Sequence, residues 1–153
     1  MANTYHQIYI QAVFAVKNRD ALILPTYKDE LCKYITGIFK NKEQKLLAIN
    51  SMPDHIHIFF GLAPKMRLSD LIADIKSDSS YFINDKKFLR TKFNWQEGYG
   101  VFSYSQSQKD VVIKYIMNQE EHHKKQTFRE EYYDFLKKFN IEHDDRYVFD
   151  FFD

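Results

Sequence analysis

The stretch Pro53-Asp54-His55-Ile56-His57-Ile58-Phe59-Phe60 decides the reading of the fold. Side chains alternate across a strand, so Ile56, Ile58 and Phe60 point into a core while His55 and His57 share the opposite face. Residues two apart on a strand stand about 6.6 Å apart at Cα, and two imidazoles leaning together over that gap can grip one metal ion. The competing reading is two half-exposed histidines that a sheet face merely tolerates. A lone His-x-His is common enough by chance to favour that second reading, and the position in mid-strand, on the face that helices are expected to leave uncovered, adds weight to ligands.

Neighbouring segments complete the pattern. Lys45 to Met52 and His55 to Leu62 read as two strands around the turn Met52-Pro53-Asp54. Upstream, Ile8, Ile10, Ala12, Phe14 and Val16 alternate within a strand from His6 to Val16. Between these strands Thr26 is placed to cap a helix running to Lys42, with Leu31, Ile35, Ile38 and Phe39 on one stripe. A second helix spans Leu68 to Lys87, its apolar face made by Leu68, Leu71, Ile72, Ile75 and Phe82. Phe93 to Tyr104, with Gly98 and Gly100, reads as one or two further strands. Ser107 is placed to cap a third helix from Gln108 through Gln126, and Thr127, with Glu130 three residues on, caps a last helix to Lys138. This order predicts an α+β fold: a ferredoxin-like antiparallel sheet with helices on one face, plus a C-terminal helical extension. One sheet face is then expected to stay open for a partner.

A chain of 153 residues suits a single domain. Its 44% hydrophobic and 28% charged content excludes a disordered or collagen-like chain, and its 17% aromatic content is high. No apolar run approaches the ~18 residues of a membrane span, and the start, Met1-Ala2-Asn3-Thr4-Tyr5, lacks the basic and apolar regions of a signal peptide. The expectation is a soluble, cytoplasmic protein with no membrane partner. The lone Cys32 excludes an intrachain disulfide and a Cys-rich zinc site. Residues 1–125 carry 18 Lys/Arg against 13 Asp/Glu, net +5, whereas residues 126–153 carry 4 against 8, net −4. A basic body with an acidic tail is compatible with a nucleic-acid partner and equally with solvated mixed-charge faces.

A second constellation lies on the expected third helix. Val112, Ile113 and Ile116 supply its apolar stripe, and Tyr115 and Gln119, four residues apart, share a neighbouring face. A tyrosine so placed can be an edge-of-core residue with a wet hydroxyl, or a nucleophile. A phenol with a pKa near ~10 costs roughly 4 kcal/mol to ionise at neutral pH. A divalent cation beside it would offset that cost, so a reactive tyrosine and a histidine pair make chemical sense together.

The His55-Ile56-His57 strand preceded by Asp54, followed by Tyr115 and Gln119 in the pattern Y-x-x-x-Q, resembles the HUH single-tyrosine transposases. These are the small transposases of single-strand insertion sequences and their REP-associated relatives. The resemblance covers residues 1–126 as the transposase domain, with the helix and acidic, aromatic tail of 127–153 belonging to the same domain. It implies that His55, His57 and, through its side-chain oxygen, Gln119 ligate Mg²⁺ or Mn²⁺. It implies that Tyr115 attacks a scissile phosphate in single-stranded DNA, forming a 5′-phosphotyrosine link and freeing a 3′-hydroxyl. It further implies a homodimer, in which the tyrosine helix can serve the partner's histidine pair to make a composite site, and DNA hairpins at the element ends, tracked by Lys65, Arg67, Lys76, Lys86, Lys87, Arg90 and Lys92. Asp70, Asp74, Asp78 and Asp85 interleave with those cations, as on an ordinary solvated face.

Some family members carry a glycine pair before the tyrosine helix, where this chain has Ser105-Gln106-Ser107-Gln108. Trp95, Tyr99, Phe102 and Tyr104 are candidates either to stack on unpaired bases or to pack in the core. His122 lies near the Gln119 face of the helix, and adjacent helical residues diverge by about 100°, so His122 and His123 are not expected to chelate one ion together. The tail from Asp144 to Asp153, with Tyr147, Phe149, Phe151 and Phe152, is expected to dock on the body or on a dimer partner. Two alternatives stand beside the transposase reading. One is the same chemistry in a domesticated or REP-associated nickase; the other is a non-catalytic, ferredoxin-like nucleic-acid-binding module.

Overall fold

The computed structural model describes residues 4–145 and residue 148. Four strands form one antiparallel sheet: β1 (Tyr9–Ala15), β2 (Lys45–Met52), β3 (His55–Gly61) and β4 (Gly100–Tyr104), in the order β2-β3-β1-β4. Helices α1 (Lys28–Asn41) and α2 (Leu68–Asp85) connect β1 to β2 and β3 to β4. This is the expected α+β, ferredoxin-like sheet. Phe39 of α1 packs on Phe60 of β3, and Trp95 packs edge-on against Phe14 of β1 while its indole N–H donates to Ser79 of α2. These contacts put α1 and α2 on the Ile56–Ile58–Phe60 face.

The other face is not open. Helices α3 (Lys109–Met117), α4 (Gln119–His123) and α5 (Phe128–Lys138) return across it. Phe135 of α5 and Phe139 just after its end stack on Phe102 of β4, and Phe128 stacks on His55. The face expected to receive a partner is thus covered by the chain's own C-terminal helices, and Gln11, His55 and His57 are buried beneath them. The high aromatic content serves this double covering: rings bury large areas each, and Phe14, Phe39, Phe59, Phe60 and Phe93 are fully enclosed.

Several local expectations shift. The helix expected to run unbroken from Gln108 through Gln126 breaks at Asn118, which sits at φ −104°, ψ 24°. Asparagine is a weak helix interior residue because its side chain competes for backbone groups. Asn50 of β2 also donates to the Ile116 carbonyl at 2.9 Å, satisfying a group that the break leaves open. The first helix starts at Lys28 with no side-chain cap, so Thr26 does not cap it. Ser107 does not cap α3 either: Gln108 is its N-cap, and the Gln108 side chain reaches back to accept from Ser105 N at 3.0 Å. Thr127 does cap α5, its hydroxyl accepting from Glu130 N while Glu130 Oε1 accepts from Thr127 N, both at 3.2 Å. The segment from Phe93 yields one strand plus an isolated Val16–Trp95 bridge. The tail aromatics Tyr147, Phe149, Phe151 and Phe152 lie outside the described residues. No helix among the described residues is long and apolar enough to cross a membrane.

Candidate functional site

Strand alternation puts His55 and His57 on the face roofed by α3, α4 and α5, at 1% and 0% exposure. Each ring is held by its Nδ1. Asp54 Oδ1 lies 2.7 Å from His55 Nδ1, and Asp54 is itself paired with Arg19. Gln11 Oε1 lies 2.9 Å from His57 Nδ1, oriented because Gln11 Nε2 donates to the Tyr104 hydroxyl at 2.9 Å. An acceptor on Nδ1 keeps the proton there and turns the Nε2 lone pair inward, the arrangement by which a histidine is oriented toward a metal.

What the two Nε2 atoms face comes from the C-terminal helices. Glu131 of α5, 2% exposed, places Oε1 at 3.1 Å from His57 Nε2, 3.6 Å from His55 Nε2 and 3.2 Å from His123 Nε2. Among the described residues, the buried His55 Nε2 has no hydrogen-bond partner. One donor atom each from His55, His57, His123 and Glu131 lie within 4.8 Å of one another. Inward lone pairs on two imidazoles and a carboxylate oxygen repel unless a cation or protons stand between them. The donor chemistry therefore fits a divalent cation.

Tyr115 and Gln119 join the same cluster. The Tyr115 hydroxyl donates to Glu131 Oε2 in a short contact, and Gln119 Nε2 donates to the same oxygen at 3.2 Å. Gln119 Oε1 lies 3.0 Å from His123 Nε2. The Tyr115 ring stands edge-on to His57 at 6.1 Å and lies against His122 at 4.4 Å. His123, four residues after Gln119, thus reaches the cluster, whereas His122, the histidine favoured on spacing, packs on the tyrosine ring.

Burial, together with the Glu131 charge, holds the Tyr115 phenol well above its ordinary value. Burial also lowers the His57 imidazole. For His55 burial works in the same direction, but Asp54 and Glu131 outweigh it and raise the group. Burial pushes Glu131 upward, yet His57, His123 and His55 overcome it and keep the carboxyl well below the carboxylate range.

The structure brings His55, His57, Tyr115 and Gln119 together, and adds His123 and Glu131, which sequence reading did not select. Glu131 left a signal: Phe128, Tyr132, Phe135 and Leu136 form the apolar stripe of α5, and an acid stands inside that stripe. His123 left a weaker one, its i+4 spacing from Gln119. The expected DNA-contacting cations lie elsewhere. Lys65 and Arg67 are exposed in the loop leaving the far end of β3 from His55; Lys86, Lys87, Arg90 and Lys92 are exposed beyond α2. Lys76 lies on α2 and donates to the Gln96 and Gly98 carbonyls at 2.8 and 2.6 Å. Of the stacking candidates, Trp95, Phe102 and Tyr104 are core residues and Tyr99 is exposed.

Among solved structures, the chain is similar to a crystal structure of a candidate transposase from Deinococcus radiodurans R1, with 21% identity and a TM-score of 0.63 over 76% of this chain and 94% of that one. It is also similar to a REP-associated tyrosine transposase bound to a REP hairpin, with 17% identity and a TM-score of 0.61 over 79% of this chain and 72% of that one. Both show the fold. The ISDra2 transposase TnpA of Deinococcus radiodurans is 20% identical over 119 residues, 74% of this chain and 85% of the relative. The profile of the family described as "Transposase IS200 like" matches residues 4–119, from the approach to β1 through Gln119. That span takes in the strand carrying His55 and His57 and the helix carrying Tyr115, and the chain belongs to the family of IS200-like transposases.

Proposed function

We propose that the chain cleaves and rejoins single-stranded DNA through a 5′-phosphotyrosine intermediate, with Tyr115 as nucleophile and Mg²⁺ or Mn²⁺ held by His55, His57 and Gln119. The observation that supports this most is the position of Tyr115. Its hydroxyl lies in one buried cluster with the histidine pair of its own chain. A cleft of about 240 Å³ opens beside it, lined by Gln11, Tyr104, Val112 and Lys138 among others.

Tyr115 Oη attacks phosphorus, the new O–P bond forms, and the bond from phosphorus to the 3′-oxygen breaks. The 5′-phosphate stays on the protein and the 3′-hydroxyl departs. The phenol proton leaves along the existing hydrogen bond to Glu131 Oε2, and the leaving 3′-oxygen takes up one proton. Reversal by a 3′-hydroxyl rejoins a strand, so neither water nor nucleotide is consumed. A bound cation supplies charge neutralisation at the phosphate oxygens and the developing phenolate. The raised phenol shows why that neutralisation matters: burial and a nearby carboxylate both oppose phenolate.

Tyr115 lies beside the histidine pair of its own chain; in a homodimer, carried over from the resemblance, the tyrosine helix would serve either that pair or the partner's. DNA hairpins at element ends are the partner that the resemblance implies, with the exposed Lys65, Arg67, Lys86, Lys87, Arg90 and Lys92 as their track.

The test mixes the protein and Mn²⁺ or Mg²⁺ with single-stranded oligonucleotides tiled across the DNA flanking its gene. A covalent adduct on a denaturing gel, lost with EDTA and with Tyr115→Phe, is the expected result. Oligonucleotides that bind without any adduct would make the chain a binding module instead.

A further inference from the structure

The profile match ends at Gln119, yet two of the four convergent donors lie beyond it, His123 on α4 and Glu131 on α5. We infer that His123 and Glu131 complete the metal site with His55 and His57, and that this His₃Glu cup selects a borderline transition ion, Zn²⁺ or Mn²⁺, over Mg²⁺. The inference rests on the reading that His55 and His57 hold an ion. It differs from that reading in the remaining ligands and in the ion.

Three observations carry it. The first is the buried His55 Nε2, which makes no hydrogen bond among the described residues and faces Glu131 Oε1 from 3.6 Å. The second is that Glu131 divides its two oxygens. Oε2 is taken by Tyr115 and Gln119, while Oε1 faces only imidazole nitrogens, from His55, His57 and His123. An acid buried to 2% exposure among three histidines, with no Lys or Arg paired to it among the described residues, is arranged as a ligand rather than as a surface ion-pair partner. The third is Gln119. Its amide nitrogen donates to Glu131 Oε2 and so steadies that carboxylate from the edge of the cup, while its oxygen lies 3.0 Å from His123 Nε2 in a contact that gives way when that nitrogen takes the ion.

The donor types set the ion. Mg²⁺ demands near-octahedral oxygen ligands and gives up water reluctantly. Three imidazoles and one carboxylate instead follow the ordering in which Zn²⁺ exceeds Mn²⁺. The site also joins β3 to α4 and α5, so ion binding fastens the C-terminal helices onto the sheet.

The test is calorimetric titration of the full chain, stripped with chelator, with ZnCl₂, MnCl₂ and MgCl₂ in turn, followed by thermal melts of each form. Zn²⁺ and Mn²⁺ are expected to bind at least 100-fold more tightly than Mg²⁺ and to raise the melting temperature. His123→Ala and Glu131→Gln are each expected to weaken Mn²⁺ by tenfold or more, and Gln119→Ala by less. Pulsed electron paramagnetic resonance of the wild-type Mn²⁺ form, which needs no folded variant, should show three coupled imidazole nitrogens. Two nitrogens, Mg²⁺ within tenfold of Mn²⁺, or affinity lost with Gln119→Ala but kept with Glu131→Gln overturns the inference while leaving the strand-transfer reading standing. No binding of any ion overturns it too. A normal metal titration without any Tyr115-dependent adduct instead sinks the strand-transfer reading alone.

Discussion

His57 is held from both sides, by Gln11 at Nδ1 and by Glu131 at Nε2. Its ring is fully enclosed between Tyr115 and Phe135. It therefore has two separable roles, as a packed ring and as a directed lone pair. His57→Ala leaves the Gln11 side-chain oxygen short of its donor, which costs about 1–3 kcal/mol; the domain should still fold. Denaturant unfolding should show that loss, and metal-dependent cleavage should vanish. Retained cleavage would reduce the ring to packing. Tyr115→Phe is the complementary change: the ring keeps its contacts with His57 and His122, and only the hydroxyl donor to Glu131 is lost. Its melting temperature should stay close to wild type while the covalent adduct disappears.

α5 determines the site at the scale of elements. It carries Glu131 into the cluster and lays Phe128 and Phe135 against His55 and His57. The helix depends on its start, where Thr127 and Glu130 satisfy each other's backbone N–H groups. Thr127→Ala should cost about 0.5–2 kcal/mol in chemical denaturation; an unchanged midpoint would mean that packing alone holds the helix. The opposite end of the covering is equally tight. A Cβ on Gly100 of β4 would stand 2.7 Å from the Tyr132 hydroxyl and 3.1 Å from Phe102 Cε2. Gly100→Ala should therefore destabilise by about 1–3 kcal/mol, the usual cost of overpacking, and a crystal structure should show Tyr132 displaced.

Over the whole molecule, aromatic burial ties stability to alkaline pH. Burial raises the phenols of Tyr27, Tyr104 and Tyr132 from 10 to about 12. These groups favour the folded state fully below pH 10, where both states keep the proton. Above pH 10 the unfolded chain sheds protons that the folded chain retains, so their contribution is lost as pH rises from 10 to 12. Melting temperature should fall through that window, and tyrosinate absorbance should show a slow group that appears only with unfolding. Ionisation of every phenol near pH 10 without unfolding would contradict this burial. Charge is also divided at this scale. Six of the seven cations expected along DNA are exposed, and four of them follow α2, the helix on the sheet face opposite the histidines.

Periodicity within the chain sufficed to establish β1 through α2, because each element's pattern arises from its own backbone geometry: Ile56, Ile58 and Phe60 on one face of β3, Leu31, Ile35 and Ile38 on one stripe of α1. It also put His55 with His57 and Tyr115 near Gln119, relations spanning only a few residues. The break at Asn118 was not legible in that way, since it involves a hydrogen bond from Asn50 on a distant strand. Nor was the roof of α3 to α5, because an amphipathic helix shows that it has an apolar face without showing which surface receives it. The position of Glu131 among three histidines depends on that docking. The residue types and their local spacing came from the sequence alone, whereas the convergence of His55, His57, His123, Tyr115 and Glu131 was decided by packing between segments far apart in the chain.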